Sequence, residues 1–169
     1  MASSIHHLGE HSSRNLYDFS NMGIGIVVSE WNNEITDALL AGALQCLRDH
    51  RIPQNRINVH YVPGSFELPL GAQWLAQRKD IHAVICLGCV IQGETRHFDF
   101  ICDAVAHGIS NVSLKHDKPV IFGVLTTDTQ KQALDRAGGK YGNKGDEAAI
   151  SALKMLGLYH KINSAGKRK

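Results

Sequence analysis

No apolar run in this 169-residue chain approaches the roughly 20 residues needed to cross a bilayer, which excludes a spanning helix. Nothing near Met1 resembles a signal peptide, since Ser3 to Ser13 is polar and has no apolar h-region. Charge of one sign is also missing. The formal net charge is +2, of which Lys167, Arg168 and Lys169 supply three positive charges; residues 1–166 therefore carry 15 basic against 16 acidic groups. That is no electrostatic footprint for nucleic acid. Cysteine is sparse, and Cys46, Cys86, Cys89 and Cys102 all sit in apolar contexts. Cys86-Leu-Gly-Cys89 has the C-x-x-C form, but residues three apart on a strand point to opposite faces, and no second Cys/His pair follows at zinc-ribbon spacing. These cysteines read as buried small hydrophobes, and reduced thiols without a signal sequence predict a cytoplasmic protein.

Two glycine patterns fail their motifs. Gly23 and Gly25 precede the apolar core of their strand, and Val28 stands where a dinucleotide fingerprint needs its third glycine. Gly138 to Gly145 is no Walker A loop, because Asn143 follows Gly142 and no Ser or Thr follows Lys144. No serine or cysteine has a partnered base, and no residue cluster suits a metal.

What is present is an alternation of buried strands and amphipathic helices. Met22 to Ser29 reads as a strand, followed by a helix with Ile35, Ala38, Leu39, Gly42, Ala43, Cys46 and Leu47 on one face. Ile57 to Val62 is a second strand, leading through Pro63-Gly-Ser-Phe-Glu-Leu-Pro69 into a helix over Leu70 to Gln77, with Ser65 as its N-cap. Ala83 to Ile91 is the most apolar run, a strand buried on both faces. After a polar break, helical spacing resumes at His97 with Phe98, Ile101, Cys102, Val105, Ile109 and Val112. Lys118 to Thr126 is a fourth strand; Thr127-Asp-Thr-Gln130 has capping-box form and opens a short helix. Gly138 to Gly145 reads as a loop, and a last helix carries Ala149, Ala152, Leu153 and Leu156. The order β-α-β-α-β-α-β-α-α, without repeat or linker, predicts one α/β domain, a three-layer sandwich around a four-stranded parallel sheet. Residues 1–21, with His6, His7 and His11, are expected to be a flexible arm, 22–160 the domain, and 161–169 a basic tail.

Ligands of open α/β sheets bind beyond the carboxyl ends of the strands. Those ends offer Trp31; Ser65, Phe66 and Glu67; Val90, Ile91, Glu94, Thr95 and His97; then Phe122 and, downstream, Arg136. Each residue also has a plainer reading. Trp31 could cap a helix, Glu67 could be a first-turn carboxylate, and Arg136 a cation at a helix C-terminus. Taken together they suit a planar heterocycle with a hydroxylated tail and a small anionic partner, with His97 moving protons and Arg136 holding the anion.

PGSFELP, LGCVIQGETRHFDFI, KPVIFGVLTT and LDRAGGKYGNKGDEAA resemble the 6,7-dimethyl-8-ribityllumazine synthase family of riboflavin biosynthesis, from about Gly23 to Leu158. The resemblance implies a flavodoxin-like fold and a condensation of 5-amino-6-(D-ribitylamino)uracil with 3,4-dihydroxy-2-butanone 4-phosphate, without cofactor or metal. It implies stacking on Trp31, the ribityl chain and ring edge at Ser65, Phe66 and Glu67, and a pocket lined by Cys89, Val90 and Ile91. Phosphate would be held by backbone N–H groups at Glu94 and Thr95 with Arg136, and His97 would be the general acid/base. Phe122 and Arg136 would come from a neighbouring subunit of a homopentamer. The short Gly138–Gly145 connection is like that of members forming a 60-subunit icosahedral shell, and riboflavin synthase is a further expected partner. Trp31 stands where members carry Phe, Cys89 where Thr is frequent, and Arg96 where a smaller polar residue is common.

Overall fold

The computed structural model describes residues 17–165, with Ala165 by its backbone alone; His6, His7, His11 and the Lys167–Lys169 run lie outside them. Four apolar runs become four parallel strands: β1 (Ile24–Ser29), β2 (Ile57–Val62), β3 (Ala83–Ile91) and β4 (Val120–Thr127), in the order β2-β1-β3-β4. Ile24 pairs with both Ile57 and Ala83, and Val84 with Val120. The central strands β1 and β3 are buried almost throughout, as strands covered on both faces must be.

Two helical layers do the covering. α1 (Asn33–Asp49) and α5 (Lys144–Ala165) bury Ile24, Ile26, Val28, Ile85 and Leu87; α2 (Leu68–Ala76) and α3 (His97–His116) bury Val27, Val84, Cys86 and Val124. The period-2 alternation of β1 and β3 thus feeds two separate cores. Cys86 and Cys89 fall into opposite cores, and burial raises both thiols, that of Cys89 to about 11. No dithiol pair exists there.

Close packing dictates two glycines. A Cβ at Gly23 would collide with the Asp80 carbonyl, and one at Gly145 with that of Leu39.

Several boundaries differ from the sequence reading. Within the arm expected over 1–21, Phe19 is packed: it is 1% exposed, shares a groove with Leu153 and Gly157 of α5, and its carbonyl accepts from Met22 N–H, while 1–16 lie outside the described residues. One aromatic in a polar run leaves no periodicity to read. Of the tail expected over 161–169, residues 161–165 continue α5, and 166–169 lie outside the described residues. The Gly138–Gly145 loop holds a small antiparallel ladder of β5 (Ala137–Gly139) and β6 (Gly142–Asn143), followed directly by α5. α2 starts at Leu68, preceded by a 3₁₀ turn over Ser65–Glu67, and Ser65 makes no capping bond. The short helix α4 (Gln130–Leu134) is capped by Thr129, which accepts from Gln132 N–H at 3.2 Å, while Gln132 Oε1 accepts from Asp128 N–H at 2.9 Å. That box sits two residues later than Thr127–Gln130, because Thr127 is still in β4 and its hydroxyl donates to the Thr129 carbonyl.

Candidate active site

The chain leaves β1 for β2 on one side and returns to β3 on the other, so the sheet reverses its winding between β1 and β3. Ligand crevices form at such a switch point, outside the carboxyl ends. A cavity of about 860 Å³ lies there, lined by the turns after β1, β2 and β3 and by the start of α3.

Each wall has a local cause. Beyond β1 the parallel ladder continues: Glu30 N–H donates to Val62 O at 2.8 Å and Trp31 N–H to Pro63 O at 3.2 Å. The Trp31 indole then stands free, 72% exposed. Asn32 follows in the left-handed region, φ 62° and ψ 45°, and its side-chain Nδ2 donates to the Cys89 carbonyl at 3.0 Å. Beyond β2, the 3₁₀ turn carries Ser65 inward, while Phe66 is exposed and Glu67 half-buried along the cavity. Ser65 is 6% exposed, and its hydroxyl is buried without a hydrogen-bond partner. The last residues of β3, Cys89, Val90 and Ile91, line the next wall, followed beyond the strand by Gly93, Thr95 and His97. α3 begins at His97, so its first N–H groups lack intrahelical acceptors and make an anion-favouring end; that of His97 reaches the Thr95 hydroxyl at 3.4 Å. Phe98 and Ile101 close the floor.

Nine of the residues singled out from sequence meet at this cavity: Trp31, Ser65, Phe66, Glu67, Cys89, Val90, Ile91, Thr95 and His97. Three do not line it. Glu94 is exposed in the loop between Gly93 and Thr95. Phe122 lies on the edge strand β4, in a groove with Ile109 and Ser113 of α3. Arg136 lies past α4, where its Nη1 donates to the Gln132 carbonyl at 2.9 Å and its guanidinium sits 4.8 Å from the Tyr141 ring centroid. Lys140 approaches the same ring at 5.1 Å, and Lys144, paired with Glu147 at 2.6 Å, donates its backbone N–H to the Arg136 carbonyl. This cationic edge was represented in the sequence reading by Arg136 alone. Asn32, Phe98 and Ile101 were missed as site residues. An asparagine directly after an aromatic at a strand's carboxyl end was the available signal for the first, since asparagine tolerates left-handed backbone.

A switch-point cleft with aromatic and apolar walls, one carboxylate and one imidazole is the kind of place where α/β proteins bind small molecules. The family model for 6,7-dimethyl-8-ribityllumazine synthase matches residues 21–160. A 6,7-dimethyl-8-ribityllumazine synthase of Cytophaga hutchinsonii is 62% identical over 156 residues, covering 92% of this chain and 98% of that protein. Those of Parabacteroides distasonis and Porphyromonas gingivalis are 53% and 47% identical, covering 92% and 94% of this chain and 98% of each relative. The chain belongs to the lumazine synthase family, and it is an enzyme of riboflavin biosynthesis.

Proposed function

We propose that the cavity binds 5-amino-6-(D-ribitylamino)uracil, that 3,4-dihydroxy-2-butanone 4-phosphate joins it there, and that the two condense to 6,7-dimethyl-8-ribityllumazine. The observation that carries this reading is the convergence of Trp31, Phe66, Glu67 and His97 on one cavity of heterocycle size. The pyrimidine stacks on Trp31. Glu67 and the turn at Ser65 and Phe66 receive the ribityl hydroxyls and the ring edge, and Cys89, Val90 and Ile91 form the apolar wall. The phosphate lies at the start of α3, against backbone N–H groups at Glu94 and Thr95, with Arg136 supplied by a neighbouring subunit.

The amine attacks the ketone carbonyl and water leaves, giving an imine. A proton is lost from the adjacent carbon as phosphate is expelled. The enol left behind takes up a proton at its terminal carbon and becomes a ketone, and the second amine closes the ring on that new carbonyl, releasing another water. Each of these bond changes is accompanied by a proton transfer between neighbouring atoms, a task suited to an imidazole at the cavity mouth. Holding two reactants together can itself remove on the order of 7–11 kcal/mol of barrier in well-oriented cases. His97 is thus the proton carrier, and the walls supply the orientation. Mixing both substrates with the protein and following lumazine fluorescence tests the reaction; no signal above the uncatalysed background would sink it.

The same reading takes the working unit as a homopentamer. Phe122 and Arg136 lie off the cavity of their own chain, which suits donation to a neighbour's. The two sheet edges also expose unlike apolar groups: Tyr61, Leu70 and Trp74 on β2 and α2, Phe100, Leu114 and Phe122 on α3 and β4. Unlike patches on opposite flanks make head-to-tail contacts that close into rings. The tight β5–β6 ladder leading directly into α5 accords with a 60-subunit shell, with riboflavin synthase as its partner, in the cytoplasm. No helix among the described residues is long and apolar enough to cross a membrane. Sedimentation decides the assembly: a mass of five chains at high concentration and in phosphate would sink the shell and leave the pentamer.

A further inference from the structure

An asparagine at a helix N-cap normally turns its side chain onto the first N–H groups of the helix. Asn32 does not. It precedes α1 in a left-handed conformation and makes no side-chain capping bond; instead its Nδ2 crosses to the Cys89 carbonyl at 3.0 Å, 57 residues away, at the end of β3. Asparagine tolerates left-handed backbone better than most residues, but the forgone cap is a cost. The strand ends gain a tie in return. Trp31 is held on the β2 side by its N–H to the Pro63 carbonyl, and on the β1 side its carbonyl accepts from the Ser29 hydroxyl at 3.4 Å. The Ser29 carbonyl is in turn fixed by the buried Thr36 hydroxyl at 2.8 Å. The Asn32 amide adds the third anchor, the one that links this turn across the switch point to β3.

We infer that Asn32 is a positioning residue: its amide, by binding the Cys89 carbonyl, fixes the backbone of Trp31 so that the exposed indole stands over the cavity as a prealigned stacking wall. The inference rests on the stacking role given to Trp31 above. A wall whose own contacts leave it 72% exposed has little side-chain packing to orient it, so the orientation must come from the backbone.

Two substitutions separate the amide from the conformation. Asn32→Gly keeps the left-handed backbone accessible and removes the amide; Asn32→Asp keeps the shape and replaces the donor with an acceptor facing a carbonyl. Both are made in a Trp74→Phe background, so that Trp31 alone emits, and the Asp variant carries the test if the Gly variant fails to fold. Ribitylaminouracil is titrated by quenching of that emission and, for Trp31→Ala, which leaves no tryptophan to emit, by isothermal titration calorimetry. Each variant should bind it about three- to tenfold more weakly, the effect of one lost hydrogen bond. Trp31 emission anisotropy should fall, and the KM for butanone phosphate should stay at the parent value. Parent-like affinity and anisotropy in both variants, with Trp31→Ala binding weakly, overturns the role of Asn32 and leaves the stacking wall standing. A parent-like Asp variant beside a weakened Gly variant also overturns it, since the donor would then be irrelevant. Parent-like binding in Trp31→Ala removes the stacking reading itself.

Discussion

The two ends of the sheet use the same kinds of residue in opposite ways. At the amino end, a histidine, a carboxylate and two cations spend their polar groups on one another and on the backbone. Gly23 N–H donates to His82 Nδ1 at 2.9 Å, His82 N–H returns to the Gly23 carbonyl at 2.8 Å, and Arg78 pairs with Asp80 at 2.6 Å. Lys118 Nζ donates to the carbonyls of Ala76 and Arg78 at 2.8 and 2.6 Å, just past α2. At the carboxyl end, Glu67 and His97 line an open cavity beside exposed aromatics. Polar groups that satisfy one another, half-buried like His82 and Lys118 or exposed like Arg78 and Asp80, belong to the fold; those held in place but left facing a cavity are available to a ligand. A histidine's neighbours, more than its identity, therefore separate His97 from His82.

The contrast breaks most visibly at His97. His97→Gln should lower kcat about ten- to a hundredfold, a smaller loss than the roughly 10²–10⁴-fold usual for a general acid–base group, because orientation of the two substrates carries the rest. Because nothing in the fold is built on this imidazole, the melting temperature and the affinity for ribitylaminouracil should stay at wild-type values. Equal losses of turnover and of affinity would make His97 a binding group instead.

Lys118 is the counter-experiment. Lys118→Met keeps the stem and deletes two hydrogen bonds to carbonyls at the C-terminal end of α2. Each charge-assisted bond is worth up to ~1.5–3 kcal/mol when buried, and partial exposure reduces the pair to about 1 kcal/mol. Chemical denaturation should register that loss while kcat and KM stay unchanged; altered kinetics would show that the amino end reaches the site.

The alternation of buried strands and amphipathic helices was legible because burial on both faces writes itself as short β-branched runs. Ala83–Ile91 stands where such a run predicted it, and the partly exposed edge strand Ile57–Val62 was legible from its β-branched and aromatic residues instead. The turns after β1, β2 and β3 were legible for the same reason, since a strand's carboxyl end is fixed once the strand is. Features that depend on one side chain meeting a distant one left no such trace. Phe19 reaches α5 across well over a hundred residues, Asn32 reaches Cys89, and the Thr129 cap is chosen over Thr127 by where β4 stops hydrogen bonding. The residue reading grouped Phe122 and Arg136 with the strands' carboxyl ends, but Phe122 is only the third residue of β4, and a single chain leaves both apart from the cavity; only their donation to a neighbouring subunit came from resemblance.

A smaller effect tests the satisfied histidine. Burial first, then the charge of Lys118, holds His82 below its ordinary value of 6.5, and the Gly23 N–H already occupies the Nδ1 lone pair that a proton would take. The sign follows from linkage: with a lower folded than unfolded pKa, the unfolded chain binds more protons between the two values. Its contribution to stability is therefore complete above about pH 6.5 and is lost as pH falls through the folded value. His82→Asn keeps an acceptor near Nδ1 without the titration. Denaturation midpoints between pH 7.5 and 5 should fall less in this variant than in wild type, and parallel profiles would remove His82 from the account.

Ser65 is the exception at the carboxyl end, and it predicts the least. Its hydroxyl belongs to the turn expected to receive the ribityl chain, yet it faces inward, so close to Gly88 that a Cβ there would lie 2.7 Å from it. Buried without a partner, it has lost its hydration and gained no hydrogen bond, and removing such a group is nearly neutral or stabilising. Ser65→Ala should therefore shift stability by no more than about +0.5 to +1 kcal/mol and leave ribitylaminouracil binding intact. The turn's contribution to ribityl recognition then comes from its backbone and from Glu67. A loss of affinity in Ser65→Ala with stability unchanged would mean that ligand binding opens the turn and brings this hydroxyl out, placing Ser65 with Glu67 and His97 among the groups kept for the substrate.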